Sequence, residues 1–146
     1  MERVMVGISI KMQRIAEKLA KKHGIHLYED EEAHLRLDMV GYDSLVIEHY
    51  CDKPICISVA HYFEMNGDLV SDPQIEFLVK DDLWVPVSIE QFLGGYRRYV
   101  EVDSTTGNAG VTDRSNQRDL AAFADMWAEN ITDQGWLERA KLHQRT

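Results

Sequence analysis

Cysteine and proline are scarce in this sequence of 146 residues, which contains two Cys and three Pro. So few cysteines exclude a small disulfide-stabilised scaffold. Cys51 and Cys56 are separated by the four residues DKPI, which is not the spacing of a redox Cys-x-x-Cys motif. A second cysteine pair that would complete a zinc site is also missing. We therefore expect both cysteines to be free thiols in a reducing compartment.

Long apolar runs are missing as well. None approaches the roughly 20 residues that a transmembrane helix requires, and the first residues lack the basic-then-apolar order of a signal peptide. Apolar residues make up 45% of the sequence and charged residues 28%, a composition that is typical of a globular domain. We expect one cytoplasmic domain over residues 1–146, without a membrane segment.

The net charge of −9 is distributed unevenly along the chain. Residues 1–24 contain six Lys and Arg against two acids, whereas residues 25–80 contain three against twelve. A body this acidic repels nucleic-acid phosphates and suits a protein partner with a basic surface. Because negative charge also favours solubility alone, both interpretations stay open.

The first predicted element is an amphipathic helix that Gly24 ends. Its apolar residues recur at helical spacing and are Ile8, Met12, Ile15 and Leu19. A basic stripe runs beside them and consists of Lys11, Arg14 and Lys18. This stripe is either an electrostatic docking edge or an ordinary solvated helix face.

A second amphipathic helix is predicted near the C-terminus. Its apolar residues are Leu120, Phe123, Ala124, Trp127 and Ile131. Asn116 with Asp119 resembles an N-cap pair, and Gly135 ends the helix. Trp136 and Leu137 begin a last short helix.

From residue 33 the apolar period changes to two, which predicts β-strands. Five strands are expected around residues 34–39, 45–50, 55–64, 75–79 and 84–87. Asn66-Gly67 is the strongest turn signal, because both residues tolerate positive φ. Asp72-Pro73 marks another turn. Pro86 cannot donate a hydrogen bond to a neighbouring strand and places the fifth strand at a sheet edge.

The segment after residue 87 mixes several signals. Residues 88–91 predict a helical turn that Gly94-Gly95 would stop, residues 96–102 alternate like a strand, and residues 103–115 predict a polar surface loop. Helices laid on the apolar face of an antiparallel sheet make a two-layer domain. The expected fold class is therefore α+β, an antiparallel meander of about five strands with the N- and C-terminal helices packed on one face.

The densest polar cluster lies in the predicted hairpin of residues 61–77. His61, Glu64, Asp68 and Asp72 are residue types that hold a divalent metal or divide acid and base roles. The same positions are explained by turn formation, which favours Asn, Asp and Pro. Since no nucleophile elbow or phosphate loop is present, an enzyme is the less favoured interpretation, and no cofactor is expected.

The wetter face of the predicted sheet is the better candidate for binding. By strand parity it carries Arg36, Glu48, Tyr50, Ser58, Tyr62 and Glu76. Tyrosines offer contact area at low entropic cost, and acids complement a basic partner. The alternatives are a solvated sheet face, or a face covered by the segment after residue 87.

A short run near residue 98 interleaves aromatic and basic residues, Tyr96-Arg97-Arg98-Tyr99. Single-stranded nucleic acid is often bound by such side chains. In a strand, however, Arg97 and Arg98 face opposite ways, and Glu101 would pair with an arginine. We therefore do not expect nucleic-acid binding, although it stays open as a third alternative.

Three stretches resemble one uncharacterised bacterial domain family that occurs on conjugative elements, plasmids and phages. The hairpin matches the pattern HYxExNGDLxxDPxxxF, and the C-terminal helix matches FxxxWxxNxxxQG. A tryptophan-proline strand at Trp84 and Pro86 lies between them. The resemblance covers about residues 34–137. It implies the genomic context of a mobile element and carries no established activity or catalytic residues.

The function expected from these observations is that of a small acidic accessory protein of a mobile element or phage. It would act by binding a macromolecular partner, with inhibition of host defence as one such role. The alternatives are a metal-dependent enzyme that uses the hairpin of residues 61–72, and a nucleic-acid-binding module.

Overall fold

The computed structural model describes residues 6–103, 105–106 and 108–144. Its elements in chain order are α1 (Ile10–Lys22), β1 (His34–Asp38), β2 (Ser44–Asp52), β3 (Ile55–Met65), β4 (Asp68–Lys80), β5 (Leu83–Gln91), β6 (Gly95–Arg98), β7 (Val100–Val102), β8 (Ala109–Val111), α2 (Arg114–Gln134), α3 (Trp136–Arg139) and β9 (Lys141–Leu142). One antiparallel sheet has the order β6-β5-β4-β3-β2-β1-β9, and β7 with β8 forms a separate ribbon. The predicted α+β class is confirmed, but the sheet has seven strands instead of about five.

The longest hairpin joins β3 to β4 through the predicted Asn66-Gly67 turn. Both residues have positive φ, 54° and 84°, as a two-residue hairpin turn requires. The turn predicted at Asp72-Pro73 is wrong, because β4 continues through both residues. They lie opposite His61, where the register between β3 and β4 shifts. A bulge at this point accommodates a residue that cannot donate to the ladder.

The prediction that the fifth strand lies at a sheet edge is also wrong. β5 pairs with β4 on one side and with β6 on the other. Residues 88–91, which predicted a helical turn, continue β5 and pair with β6. Pro86 adjoins the position where the β4–β5 register shifts, and β6 does not reach it. The proline is therefore tolerated because it adjoins a bulge and because β6 pairs only with residues 88–91 of β5.

Both long helices have side-chain N-caps. Ser9 caps α1, and the Asp113 carboxylate accepts the Asn116 backbone N–H at 3.1 Å to cap α2. The expected Asn116–Asp119 cap is thus one turn too late, because Asp113 satisfies an otherwise unpaired N–H at the helix start. Gly135 ends α2 with φ of 87°, as predicted, and α3 follows directly.

The helices cover one face of the sheet, which we call the helix-covered face. Apolar residues of α1 and α2 share one buried cluster with those of the strands. Its largest fully buried side chains include Trp84, Trp136, Phe77 and Met12. This cluster is the main core, and it leaves the opposite face of the sheet for other contacts.

Gln117 of α2 ties the segment before α1 to the sheet. Its fully buried amide donates to the carbonyls of Gly7 and Pro86 at 2.9 and 3.1 Å and accepts the Gly7 N–H at 2.6 Å. A Cβ at Gly7 would lie 2.7 Å from the Ala121 side chain. Glycine is therefore required there by the close approach of the chain to α2.

Candidate binding surface

The face of the sheet opposite the helices is divided into two parts. Next to the β4–β5 turn, Cys56, Leu78 and Val85 lie side by side on β3, β4 and β5. The ribbon of β7 and β8 packs over them, and Val100 is buried against them. The alternative that the segment after residue 87 covers this face therefore applies to this part only.

The remaining part, which we call the polar face, consists of two rows that cross the sheet. One row is His34, Glu48, Ser58, Glu76, Ser88 and Arg98, and the other is Arg36, Val46, Ala60, Gln74, Glu90 and Tyr96. Tyr50 and Tyr62 belong to the same face. Small residues form its floor, and ionic and aromatic residues cover that floor, so that Ser58 and Ala60 are buried.

Glu76 is the centre of the hydrogen bonds on the polar face. Its carboxylate accepts the Ser88 hydroxyl at 2.5 Å and the Tyr96 hydroxyl at 3.1 Å. Arg98 in turn donates to the Tyr96 oxygen at 3.3 Å and lies 3.6 Å from Glu101. Two hydroxyl donors to one carboxylate fix the position of this side chain. The face thus has an acidic residue near its middle.

Tyr50 and Tyr62 flank this centre. Burial, together with Cys56 and Glu76 nearby, raises the pKa of Tyr50, although the residue exposes 39% of its surface. The Tyr62 hydroxyl donates to the Gln74 amide oxygen at 3.4 Å, and the Gln74 amide donates to Ser58 at 3.2 Å. A hydrogen bond at the ring end therefore orients Tyr62, and Tyr50 lies beside it on a partly exposed surface.

The five residues predicted to bind a partner lie together on the polar face. Arg36, Glu48 and Glu76 occupy the two rows, between Tyr50 and Tyr62. Glu48 faces His34 at 3.9 Å. Arg36 donates weakly to Ser44 at 3.4 Å, while its buried Nε has no hydrogen-bond partner among the described residues. The predicted parity of the strands is the reason that these residues share one face.

The four predicted metal ligands do not gather around one point. The His61 ring lies on the helix-covered face against Trp127 and Trp136, at centroid distances of 5.4 and 5.6 Å. Asp72 accepts the backbone N–H of Phe92 at 3.0 Å, and Glu64 and Asp68 lie near the hairpin end. Within the described residues, no group of three or more His, Cys, Asp or Glu has the geometry of a metal site.

The basic stripe of α1 faces acidic residues of α2 and α3. Lys11 pairs with Glu129, and Arg14 and Lys18 line a groove of about 480 Å³ whose opposite wall includes Asp133 and Glu138. Neither predicted alternative for this stripe, an electrostatic docking edge or an ordinary solvated helix face, anticipated the facing acids. The stripe contributes electrostatic attraction between helices, which lowers its value as a phosphate-binding surface.

The arginines of the second basic run point in opposite directions. Arg98 is on the polar face, whereas Arg97 pairs with Ile89 in a row of the other face. The predicted ion pair with Glu101 is present at Arg98. The run therefore presents one arginine per face, as its parity indicates.

His61 is surrounded by contacts that sequence reasoning did not anticipate. Its Nδ1 lies 3.2 Å from the Asp43 carbonyl oxygen, and burial lowers the pKa of the ring. Tyr42 packs edge-on against Trp136 at 5.8 Å in the same region. In the sequence, His61 alternates in step with Val59 and Phe63. This alternation predicts that His61 lies in the apolar row of the strand.

The fold and this surface define a small α+β domain with one polar sheet face. The chain belongs to a family described as a domain of unknown function, DUF6908, whose family model matches residues 11–137. No curated protein and no solved structure matches the chain. In the described part of the chain, no helix combines the length and the apolar character needed to span a bilayer.

Proposed function

We propose that this protein acts by binding a macromolecular partner through the polar face, and that the partner is a protein with a basic surface. The observation that carries the proposal is the division of one sheet face into two parts. The ribbon of β7 and β8 packs on the apolar part, whereas on the polar part Tyr50 and Tyr96 expose 39% and 53% of their surface. Oriented, partly exposed tyrosines are typical of residues that dominate binding energy.

The charges of the polar face favour a cationic partner. Its carboxylates are Glu48, Glu76 and Glu90, and the net charge of the chain is −9. Of its two arginines, Arg98 is offset by Glu101 and by nearby Glu76. Negative potential of this kind accelerates association with a basic surface and repels nucleic-acid phosphates.

The biological role that we attach to this binding is that of an accessory protein of a mobile element or phage, such as an inhibitor of host defence, located in the cytoplasm. The resemblance of the hairpin and the C-terminal helix to a mobile-element family supports this context. The two alternative functions have less support. The hairpin ligands are spread over separate contacts, and the basic stripe of α1 faces acids.

A capture experiment with the full chain tests the proposal. Host lysate is passed over the immobilised protein, over Glu48→Lys/Tyr62→Ala, and over the control Asp119→Lys, which reverses a charge on the exposed surface of α2. We expect a basic protein to be retained by the unaltered chain and by the control, to be lost from the polar-face variant, and to elute as salt rises. Retention that is indifferent to the polar-face changes would exclude this surface.

A further inference from the structure

The two cysteines, which are separated in sequence by four residues, are direct partners across the β2–β3 hairpin. Cys51 on β2 pairs with Cys56 on β3 close to the turn of the hairpin, next to a bulge at residue 50. Opposed residues in antiparallel strands have Cα atoms about 4.5–5.5 Å apart. Disulfides require a Cα separation of about 4.4–6.8 Å. The backbone therefore already has the spacing that a bond between the two sulfurs needs.

The two thiols differ in their surroundings. Cys51 is exposed and Cys56 is buried, with 7% of its surface accessible. The Cys56 thiol donates to the Pro54 carbonyl oxygen at 3.6 Å. Burial is the largest influence on its pKa, Tyr50 lowers it, Cys51 raises it, and the result is about 11. At neutral pH the buried sulfur is therefore held as a thiol, while the exposed sulfur is the one that a reagent from solution reaches first.

We propose that Cys51 and Cys56 form a reversible oxidation site, a dithiol that closes to a cross-strand disulfide when a peroxide reaches the surface. The Cys51 thiolate attacks one peroxide oxygen, the O–O bond breaks, and Cys51 sulfenic acid and water are formed once a proton is taken up. Cys56 then attacks the sulfenic sulfur, the S–S bond forms, and a second water carries away the oxygen and the Cys56 proton. Two thiols lose two electrons in total, and the peroxide gains them.

This site lies at the margin of the polar face, but its chemistry is independent of partner binding. Tyr50 adjoins both the cysteine pair and Glu76. Oxidation of the cysteines would therefore affect the polar face through the contacts of Tyr50. The experiment that tests this proposal detects the disulfide itself. Its outcome is therefore the same whether or not the protein binds the proposed partner.

The experiment oxidises the purified, reduced full chain with hydrogen peroxide and counts free thiols. We expect the number of reactive thiols to fall from two to none, with no change in the monomer band on a non-reducing gel, and to return with dithiothreitol. Cleavage on the N-terminal side of Asp52 separates the two cysteines into different peptides. These peptides should stay linked after oxidation and separate after reduction.

Cys51→Ser and Cys56→Ser each leave one thiol and serve as controls. Cys56→Ser should accumulate sulfenic acid at Cys51, or a mixed disulfide when glutathione is added, because no second thiol is opposite. Cys51→Ser leaves only the buried thiol and should react much more slowly with peroxide. If Cys56→Ser fails to fold, Cys51→Ser still provides the comparison, since residue 51 is exposed. Oxidation of the unaltered chain to sulfinic acid without linked peptides, or disulfide-linked dimers through Cys51 alone, would overturn the proposal.

Closure should also accelerate as the pH rises. The pKa of Cys56 is about 11, so more alkaline solution supplies the thiolate that resolves the sulfenic acid. The rate at which Cys51 sulfenic acid, once formed, is converted to the disulfide should therefore increase from neutral to alkaline pH. A rate that does not depend on pH would contradict the assignment of Cys56 as the resolving thiol.

Discussion

The two faces of the sheet are built on different principles. The helix-covered face is apolar throughout its centre, where the fully buried rings of Phe77 and Trp84 pack at a tilt of 44° with centroids 5.1 Å apart. The polar face has small residues under long ionic and aromatic ones, held by hydrogen bonds that converge on Glu76. Apolar burial scales with area and dominates folding, whereas a hydrogen bond adds little net stability. The first face therefore stabilises the domain, and the second is free to vary for recognition.

Truncation of Phe77 is the most direct test of this difference between the two faces. Phe77→Ala removes a fully buried ring in contact with Trp84 and leaves a cavity. We expect a loss of about 3–5 kcal/mol in the free energy of unfolding, measured by urea denaturation with tryptophan fluorescence. Glu90→Ala, an exposed change on the polar face, is the control and should cost less than about 0.5 kcal/mol. Similar losses for the two variants would refute the division of roles.

The part of the outer face under the β7–β8 ribbon gives an intermediate case. Val100 is buried against Cys56, Leu78 and Val85. Val100→Ala should lower the free energy of unfolding by about 2 kcal/mol, the scale of one buried valine side chain. The measurement is urea unfolding combined with amide hydrogen exchange.

Hydrogen exchange also tells whether the ribbon folds with the sheet. If β7 and β8 open separately, Val100→Ala will accelerate exchange at residues 100–102 and leave β3 unchanged. A uniform acceleration over both sheets would instead make the ribbon part of one cooperative unit with the main core.

Sequence periodicity predicted the helix-covered face more completely than the polar face. The alternation of Leu35, Leu37, Ile57 and Val59 was visible because each side chain is apolar and its neighbours are not. The same alternation placed Glu48 and Tyr62 on one face. It also predicted a strand over residues 96–102, which the structure divides into β6 and β7. It did not reveal β8 or β9, which are short strands whose pairing depends on distant residues and not on local pattern.

Proline and cysteine show where local rules fail. Pro86 and Asp72-Pro73 lie next to bulges, and a bulge depends on the partner strand, which a local pattern does not contain. The opposition of Cys51 and Cys56 follows from the register between β2 and β3, again a property of two strands. The candidate metal ligands of the hairpin lie apart for a related reason. His61 belongs to the apolar row of its strand, whereas the other candidate ligands do not.

His61, on the helix-covered face, makes stability depend on pH. Burial lowers the pKa of His61 below its ordinary value of 6.5. Unfolding restores the ordinary value, so between the two pKa values the unfolded chain binds more protons than the folded one. The free energy of unfolding should therefore fall as the pH drops below 6.5, with the full contribution of His61 present only above that value.

His61→Phe removes this titration while keeping an aromatic ring against Trp127 and Trp136. Its urea midpoint should vary less with pH between neutrality and pH 5 than that of the unaltered protein, as measured by fluorescence. A smaller dependence remains from His23, whose pKa burial and Lys22 also lower. His26→Gln changes an exposed ring and is the control. Equal pH dependence in all three proteins would show that His61 is not the responsible group.

The smallest expected effect concerns the hydroxyl groups around Glu76. Tyr96→Phe removes one donor at 3.1 Å from a residue that is 53% exposed. Water replaces the lost donor at an exposed site, so we expect a loss of about 0.5 kcal/mol or less in urea unfolding. Ser88→Ala removes the donor at 2.5 Å from a fully buried position, and here we expect about 1 kcal/mol.

The order of these two variants tests how the polar face holds its charge. Ser88 lies beneath the surface side chains, so water is excluded from its place and the Glu76 carboxylate loses a hydrogen bond outright. Tyr96 lies at the rim, where its hydroxyl contributes less to folding than its ring would contribute to a partner's contact area. If Tyr96→Phe proved the more destabilising variant, the rim tyrosine would be part of the scaffold, and the polar face would lose one of the exposed residues on which recognition depends.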